Sequence, residues 1–234
     1  MRQMSAIDTL AAQLRGVFGD RLQAVLAFDP VINPTGTRED ALHTLAVVDR
    51  VALADLTACA SLSPGWKRLK LEMPLLIGAD DISRSLDVFP LEFSAIIATR
   101  RVIAGVDPFA SLAVPTEDLR RGCEVQARSH LVHLREGYVE AGGHNAEIAR
   151  LVAASAGPFV ALLANVARLK QGDNSDTSVE ALIAEIGLRA NMLSHMRSVV
   201  SSKHKPHAAD ANLYPDYLHA AERLAEYVDR WKRG

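Results

Sequence analysis

The residues best suited to chemistry gather around one loop. Two apolar runs, residues 24–28 and 45–48, flank a polar segment that carries Asp29, Glu39 and Asp40, and Asp49 follows the second run. Carboxylates are hard oxygen donors of the kind that hold Mg²⁺ on a transferring phosphate. Charged loop residues are more often simply solvated, so the chemistry needs a pattern and not only a composition. Elsewhere His130, His133 and Glu136 step by three along one helix. Three residues turn a helix by about 300°, so the series drifts around the axis and reads as partly exposed histidines, not as a metal site. His204 and His207 lie in a basic loop without acids or cysteines at fixed spacing. Glu124 stands four residues from both Arg120 and Arg128, which reads as ion pairing along a helix surface. Lys67, Arg68 and Lys70 beside Trp66 read as a solvated helix end, narrower than a nucleic-acid surface. No Gly-rich phosphate loop, nucleophile elbow or diagnostic Cys–His spacing occurs, and Gly36 is a turn residue.

At 234 residues the chain is long enough for one large domain or two modest ones. Its 49% hydrophobic and 23% charged residues are ordinary for a globular protein. A net charge of −2 offers no global field for nucleic acid or anionic membrane, so neither is an expected partner. Cys59 and Cys123 are isolated thiols, read as reduced and buried. The N-terminus lacks a signal-peptide pattern, and no stretch is expected to approach the roughly 20 apolar residues of a membrane span. A cytoplasmic protein is the expectation.

The elements that must position these residues fall into two halves. Met4, Ile7, Leu10, Leu14 and Phe18 recur at helical steps, and Gly19 ends that helix. Strands are expected over 22–28 and 45–49, a helix over 52–62 broken at Ser63-Pro-Gly65, and a strand over 71–77. A short helix opens at Ala79-Asp-Asp81, where acids favour a helix N-terminus. Phe89, Leu91 and Phe93 alternate with polar residues and Pro90, which predicts a half-buried edge strand over 87–97. A last short strand covers 101–105. From Thr116 onward only helical spacing remains. Helices are expected over 116–141, 145–169 with a kink at Gly157-Pro158, from a capping box at Thr177 and Glu180, and near 188–200 and 216–231. The boundary falls at Val114-Pro115, giving an α+β domain over 1–114 and a helical bundle over 115–234.

The stretch Ser85-Leu-Asp-Val-Phe-Pro-Leu-Glu-Phe93, followed by Val102-Ile-Ala-Gly-Val-Asp-Pro108, resembles a group of bacterial nucleotidyltransferase-fold proteins. The likeness continues through Leu119-Arg-Arg-Gly-Cys-Glu-Val-Gln-Ala-Arg128 and Leu131-Val-His-Leu-Arg-Glu-Gly-Tyr138, and Phe18-Gly-Asp-Arg-Leu22 fits the opening. It implies a nucleotidyltransferase-like mixed sheet with flanking helices, followed by an all-α bundle. Active members of that group hold a Gly-Ser pair at the end of the first strand, an Asp-x-Asp on the next and a third acid on a later strand.

Laid onto this chain, the resemblance puts the Gly-Ser positions on Phe28 and Asp29, and the Asp-x-Asp positions on Leu42 and Thr44. Sliding the register by two gives Asp40 and Leu42, still one acid short. Only the third acid has a counterpart, Glu92 or Asp87. The resemblance therefore implies a degenerate member, with no resident metal or cofactor, that binds a nucleotide-like small molecule, a protein partner or a second copy of itself. One alternative is a working transferase that uses Mg²⁺ and an NTP with Glu92, Asp87 and the loop acids. Another is a helical interaction module with the first domain as scaffold.

Overall fold

The computed structural model describes residues 2–29, 43–171, 179–200 and 206–231. The chain divides into two compact units, with a change from one to the other between Pro115 and Thr116.

The first unit is built on a small mixed sheet. Helix α1 (Arg2–Phe18) passes through a 3-10 turn, Gly19–Arg21, into β1 (Leu22–Phe28). Strand β2 (His43–Val48), helix α2 (Leu53–Arg68), strand β3 (Leu75–Gly78), helix α3 (Ala79–Ser85), helix α4 (Pro90–Thr99) and strand β4 (Arg101–Gly105) follow. The strand order is β3-β2-β1-β4, antiparallel at β1–β2 and β1–β4 and parallel at β2–β3. Side chains alternate across the sheet, so each strand feeds two cores. Val25, Ala46 and Val48 pack with Leu10, Leu14, Phe18, Cys59 and Trp66 from the α1–α2 side. Ala24, Leu26, Phe28, Leu45 and Val47 pack with Ile82, Phe93, Ile96 and Phe109 from the α3–α4 side.

Opposite Leu22 stands Val48 and opposite Ala24 stands Val47, so Gln23 is the extra residue of a bulge. Gly105 closes β4 against it with φ +81°, and a Cβ there would lie 1.9 Å from the Gln23 carbonyl oxygen. Only glycine fits that approach.

The strand expected over 71–77 is confined to Leu75–Gly78, and two further expectations fail in this unit. Pro64 and Gly65 do not end α2, which runs on to Arg68. The continued turn buries Trp66, whose indole N–H donates to Gln13 Oε1 at 2.7 Å, so tertiary anchoring outweighs the local breakers. Trp66 therefore belongs to the core and not to a basic surface patch. The segment read as a strand over 87–97 is instead a turn followed by α4, with Pro90 in its first turn. Proline fits there because the first helical N–H groups need no partner within the helix. Leu91, Phe93, Ala95 and Ile96 are buried while Phe89 is exposed, which is a helix face and not an alternation.

The second unit is helical: α5 (Thr116–Glu140), α6 (Asn145–Gln171), α7 (Val179–Glu185), α8 (Ala190–Val200) and α9 (Tyr214–Arg230). Gly142 and Gly143, both at positive φ, turn α5 back along α6. Gly137 lets the two helices close, since a Cβ there would lie 2.7 Å from Leu151 Cδ1. α6 is the central element, burying Val152, Ala156, Phe159, Leu162, Leu163 and Val166, and it continues through Pro158. Contrary to the sequence expectation, residues 145–170 of α6 are long and apolar enough to cross a membrane by length and composition, but 56% of that apolar window is buried inside the protein. α9 covers α5 and α6 with Tyr217, Ala220, Ala221 and Leu224. Thr177 of the expected capping box, and Lys203 to Lys205 with His204, lie outside the described residues, whereas His207 caps the 3-10 turn Ala208–Leu213.

Candidate functional site

The register of β1 against β2 decides what the sheet end can do. Phe28 pairs with His43, and Ala27 pairs with Thr44. Phe28 and Thr44 therefore point to opposite faces of the sheet. Phe28 is buried in the α3–α4 core, and its ring centroid lies 5.8 Å from that of His43. Thr44 shares its face with Ala46 and Val48 and is 1% exposed. Its hydroxyl has no hydrogen-bond partner among the described residues. Leu42, the other position matched to a metal ligand, lies outside the described residues, as do Glu39 and Asp40.

Asp29 follows Phe28 with an exposed side chain. Its backbone N–H donates to Thr99 Oγ1 at 3.1 Å, and the Thr99 hydroxyl lies 3.1 Å from Asp29 O and 2.9 Å from Ala95 O. A phosphate cradle needs amide N–H groups that point outward and are unspent. Here the amide after β1 is spent on the end of α4.

Glu92 sits in the first turn of α4 and Asp87 in the turn before it, both exposed. Neither is carried by a strand, so neither shares a sheet face with the other candidates. Mg²⁺ demands several oxygens converging at about 2.1 Å. An apolar ring, an inward hydroxyl on the other face and two exposed carboxylates off the sheet do not fit that ion. Among the described residues no group of three His, Cys, Asp or Glu side chains is placed to hold a metal.

Sequence reasoning passed over His43, whose face is set only by the pairing with Phe28. Burial holds its pKa below the ordinary value, while the carboxylates of Glu72 and Asp29 pull it back up. A histidine opening an apolar strand was the available signal.

In the helical unit the polar ladder is ordinary in part. Arg120 is held by Glu117 at 2.9 Å and Glu124 at 2.8 Å, while Arg128 turns to Asp229 at 2.7 Å and not to Glu124. His130 and His133 separate. His130 is mostly buried, its Nε2 lying 2.8 Å from Tyr217 Oη and its ring stacked 5.4 Å from Phe159, and burial pushes its pKa down to about 4. His133 faces solvent beside Glu136 at 3.1 Å.

Arg168 is the residue that stands out. It is half-buried on α6, donates from Nη1 to Asn165 Oδ1 at 3.1 Å, and has no carboxylate partner among the described residues. Burial pushes its pKa down. Nearby Cys123 is fully buried and its thiol is pushed up to about 12, which makes it inert; neither cysteine forms a disulfide.

No family model and no curated protein matches the chain. Among solved structures, spectinomycin adenyltransferase AAD(9) from Enterococcus faecialis, determined with ATP and spectinomycin, is similar at a TM-score of 0.56 and 12% identity. The match covers 94% of this chain and 98% of that one. An α+β unit with a four-stranded mixed sheet, a helical unit after it and a match over nearly both whole chains give this protein a nucleotidyltransferase-like fold.

Proposed function

We propose that this chain is a nucleotidyltransferase-fold protein that has lost metal-dependent transfer and acts by binding an anionic, nucleotide-like ligand. The observation that carries the reading is the spent amide of Asp29, bonded to Thr99 where a phosphate cradle needs a free donor. The inward, buried Thr44 supports it, because a metal ligand at that position would face the α1–α2 core. Arg168 supports the ligand class: a half-buried guanidinium with no carboxylate partner among the described residues is costly unless something negative joins it.

Thermal-shift and calorimetric titration with ATP and GTP, with and without Mg²⁺, tests the proposal. Metal-independent stabilisation that Arg168→Gln removes, with no nucleotide turnover in the presence or absence of spectinomycin, is the expected result. Mg²⁺-dependent turnover abolished by Glu92→Ala would overthrow it in favour of a working transferase. Absence of any nucleotide effect would leave the interaction-module reading.

A further inference from the structure

Where α6, α7 and α9 end, the helical unit has a groove of about 380 Å³, within the usual range for small-molecule sites. Lys170, Glu185, Ile186, Arg223, Tyr227 and Trp231 line it together with the Glu226–Arg230 pair. Tyr227 and Trp231 stand four residues apart on and just past α9, so both aromatic side chains come to one side.

The charges are not equally committed. Glu185 accepts from the Lys170 ammonium and from Tyr227 Oη, the latter at 3.2 Å. Glu226 pairs with Arg230 at 3.3 Å. Both carboxylates are thus occupied. Arg223 spends only Nε, which donates to the Ile186 carbonyl oxygen at 3.1 Å beyond the end of α7. That bond ties one edge of the guanidinium to the end of α7, and its two terminal nitrogens have no partner among the described residues. Three cations stand against two bound carboxylates in one groove, and Arg223 is the cation that neither carboxylate holds.

We propose that this groove binds a small aryl anion, an aromatic carboxylate or aryl phosphate, with its ring against Tyr227 and Trp231 and its charge on Arg223. Aromatic faces and a planar guanidinium are a matched pair for such a ligand. The groove uses none of the residues of the function proposed above.

Calorimetric titration of the full chain with phenyl phosphate tests it, with inorganic phosphate and benzyl alcohol as the charge-only and ring-only arms. Phenyl phosphate is expected to bind saturably, at least tenfold tighter than either arm, and to change the emission of Trp231. Arg223→Gln is expected to weaken it tenfold or more. Trp231→Leu, which leaves Arg223 and its bond to Ile186 in place, is expected to reduce it to the level of inorganic phosphate. Equal binding of phenyl phosphate and either arm overturns the proposal. So does unchanged binding in either variant when circular dichroism shows it folded. Should Arg223→Gln lose its helical signal, Trp231→Leu decides alone.

Discussion

The sheet end and the helical unit use their polar groups in opposite ways. Around β1 and β2 the groups that could meet a ligand are absorbed by the fold: the Asp29 amide by Thr99, the Thr44 hydroxyl by the core, the Phe28 ring by His43. On α6 and α9 the reverse holds, and Arg168 and Arg223 keep donors that no carboxylate among the described residues takes up. The difference teaches that keeping a fold and keeping its chemistry are separate requirements. Apolar packing on both sheet faces holds the first unit together independently of which polar residues stand at the sheet end.

Placing an acid at Thr44 is the hardest test of that contrast. Thr44→Asp places a carboxylate in the α1–α2 core, and an uncompensated buried charge costs about 3–5 kcal/mol. The expected outcome in denaturant unfolding is a large loss of stability without any Mg²⁺-dependent recovery. Thr44→Val, which removes an unpartnered hydroxyl and keeps the shape, is expected to be neutral or stabilising. Mg²⁺ binding by a folded Thr44→Asp protein would show that the register leaves room for the lost chemistry.

His130 gives the next largest effect, and it sits in the helical unit. Its folded pKa is about 4 against an ordinary 6.5. Between those values the unfolded chain binds the proton and the folded one does not, so stability is full above pH 6.5 and falls as pH drops towards 4. The loss approaches about 3 kcal/mol. Chemical denaturation at pH 7 and pH 4.5 measures it, and His130→Gln is expected to flatten that part of the profile. An unchanged slope in the variant would place the pH dependence elsewhere.

How much of this was legible follows the range of the determinant. The runs over 22–28 and 45–48 declare themselves as strands because burial on both faces demands unbroken apolar residues, whereas His43 and Thr44, which open β2, do not. The helices from Thr116 on declare themselves by spacing. The segment 87–97 misleads because Phe89, Leu91 and Phe93 satisfy a period of two, and only the burial of Ala95 and Ile96 reveals the helix. α2 outlasts Pro64-Gly65 because Trp66 is anchored to Gln13, 53 residues away. What the sequence offered at the candidate site was the residue types at Phe28 and Asp29, from which the proposed loss is read. Which residue of β2 shares a face with Phe28 was not legible, because a one-residue change of register exchanges His43 for Thr44.

Gly105 sharpens the account of the sheet. Gly105→Ala adds a Cβ against the Gln23 carbonyl at a positive φ, and is expected to cost about 2 kcal/mol or more. Its effect should appear in stability and leave ligand titrations of the folded protein unaltered, since Arg168 and Arg223 belong to the other unit.

The smallest effect is the most telling for the comparison. Thr99→Val removes the hydroxyl that accepts the Asp29 N–H, at a cost of about 1 kcal/mol. It also frees that amide at the sheet end without adding a charge or opening a cavity. If the closed amide is what excludes phosphate there, Thr99→Val should raise the affinity for ATP or inorganic phosphate measured by calorimetry, while Arg168→Gln still removes the binding present in the unmodified chain. If affinity is unchanged, the Phe28 ring rather than the spent amide closes the site, and Phe28→Gly in the Thr99→Val background becomes the discriminating variant. Either result assigns the proposed closure to a particular group at the end of β1, the Asp29 amide or the Phe28 ring, which a comparison of folds cannot do.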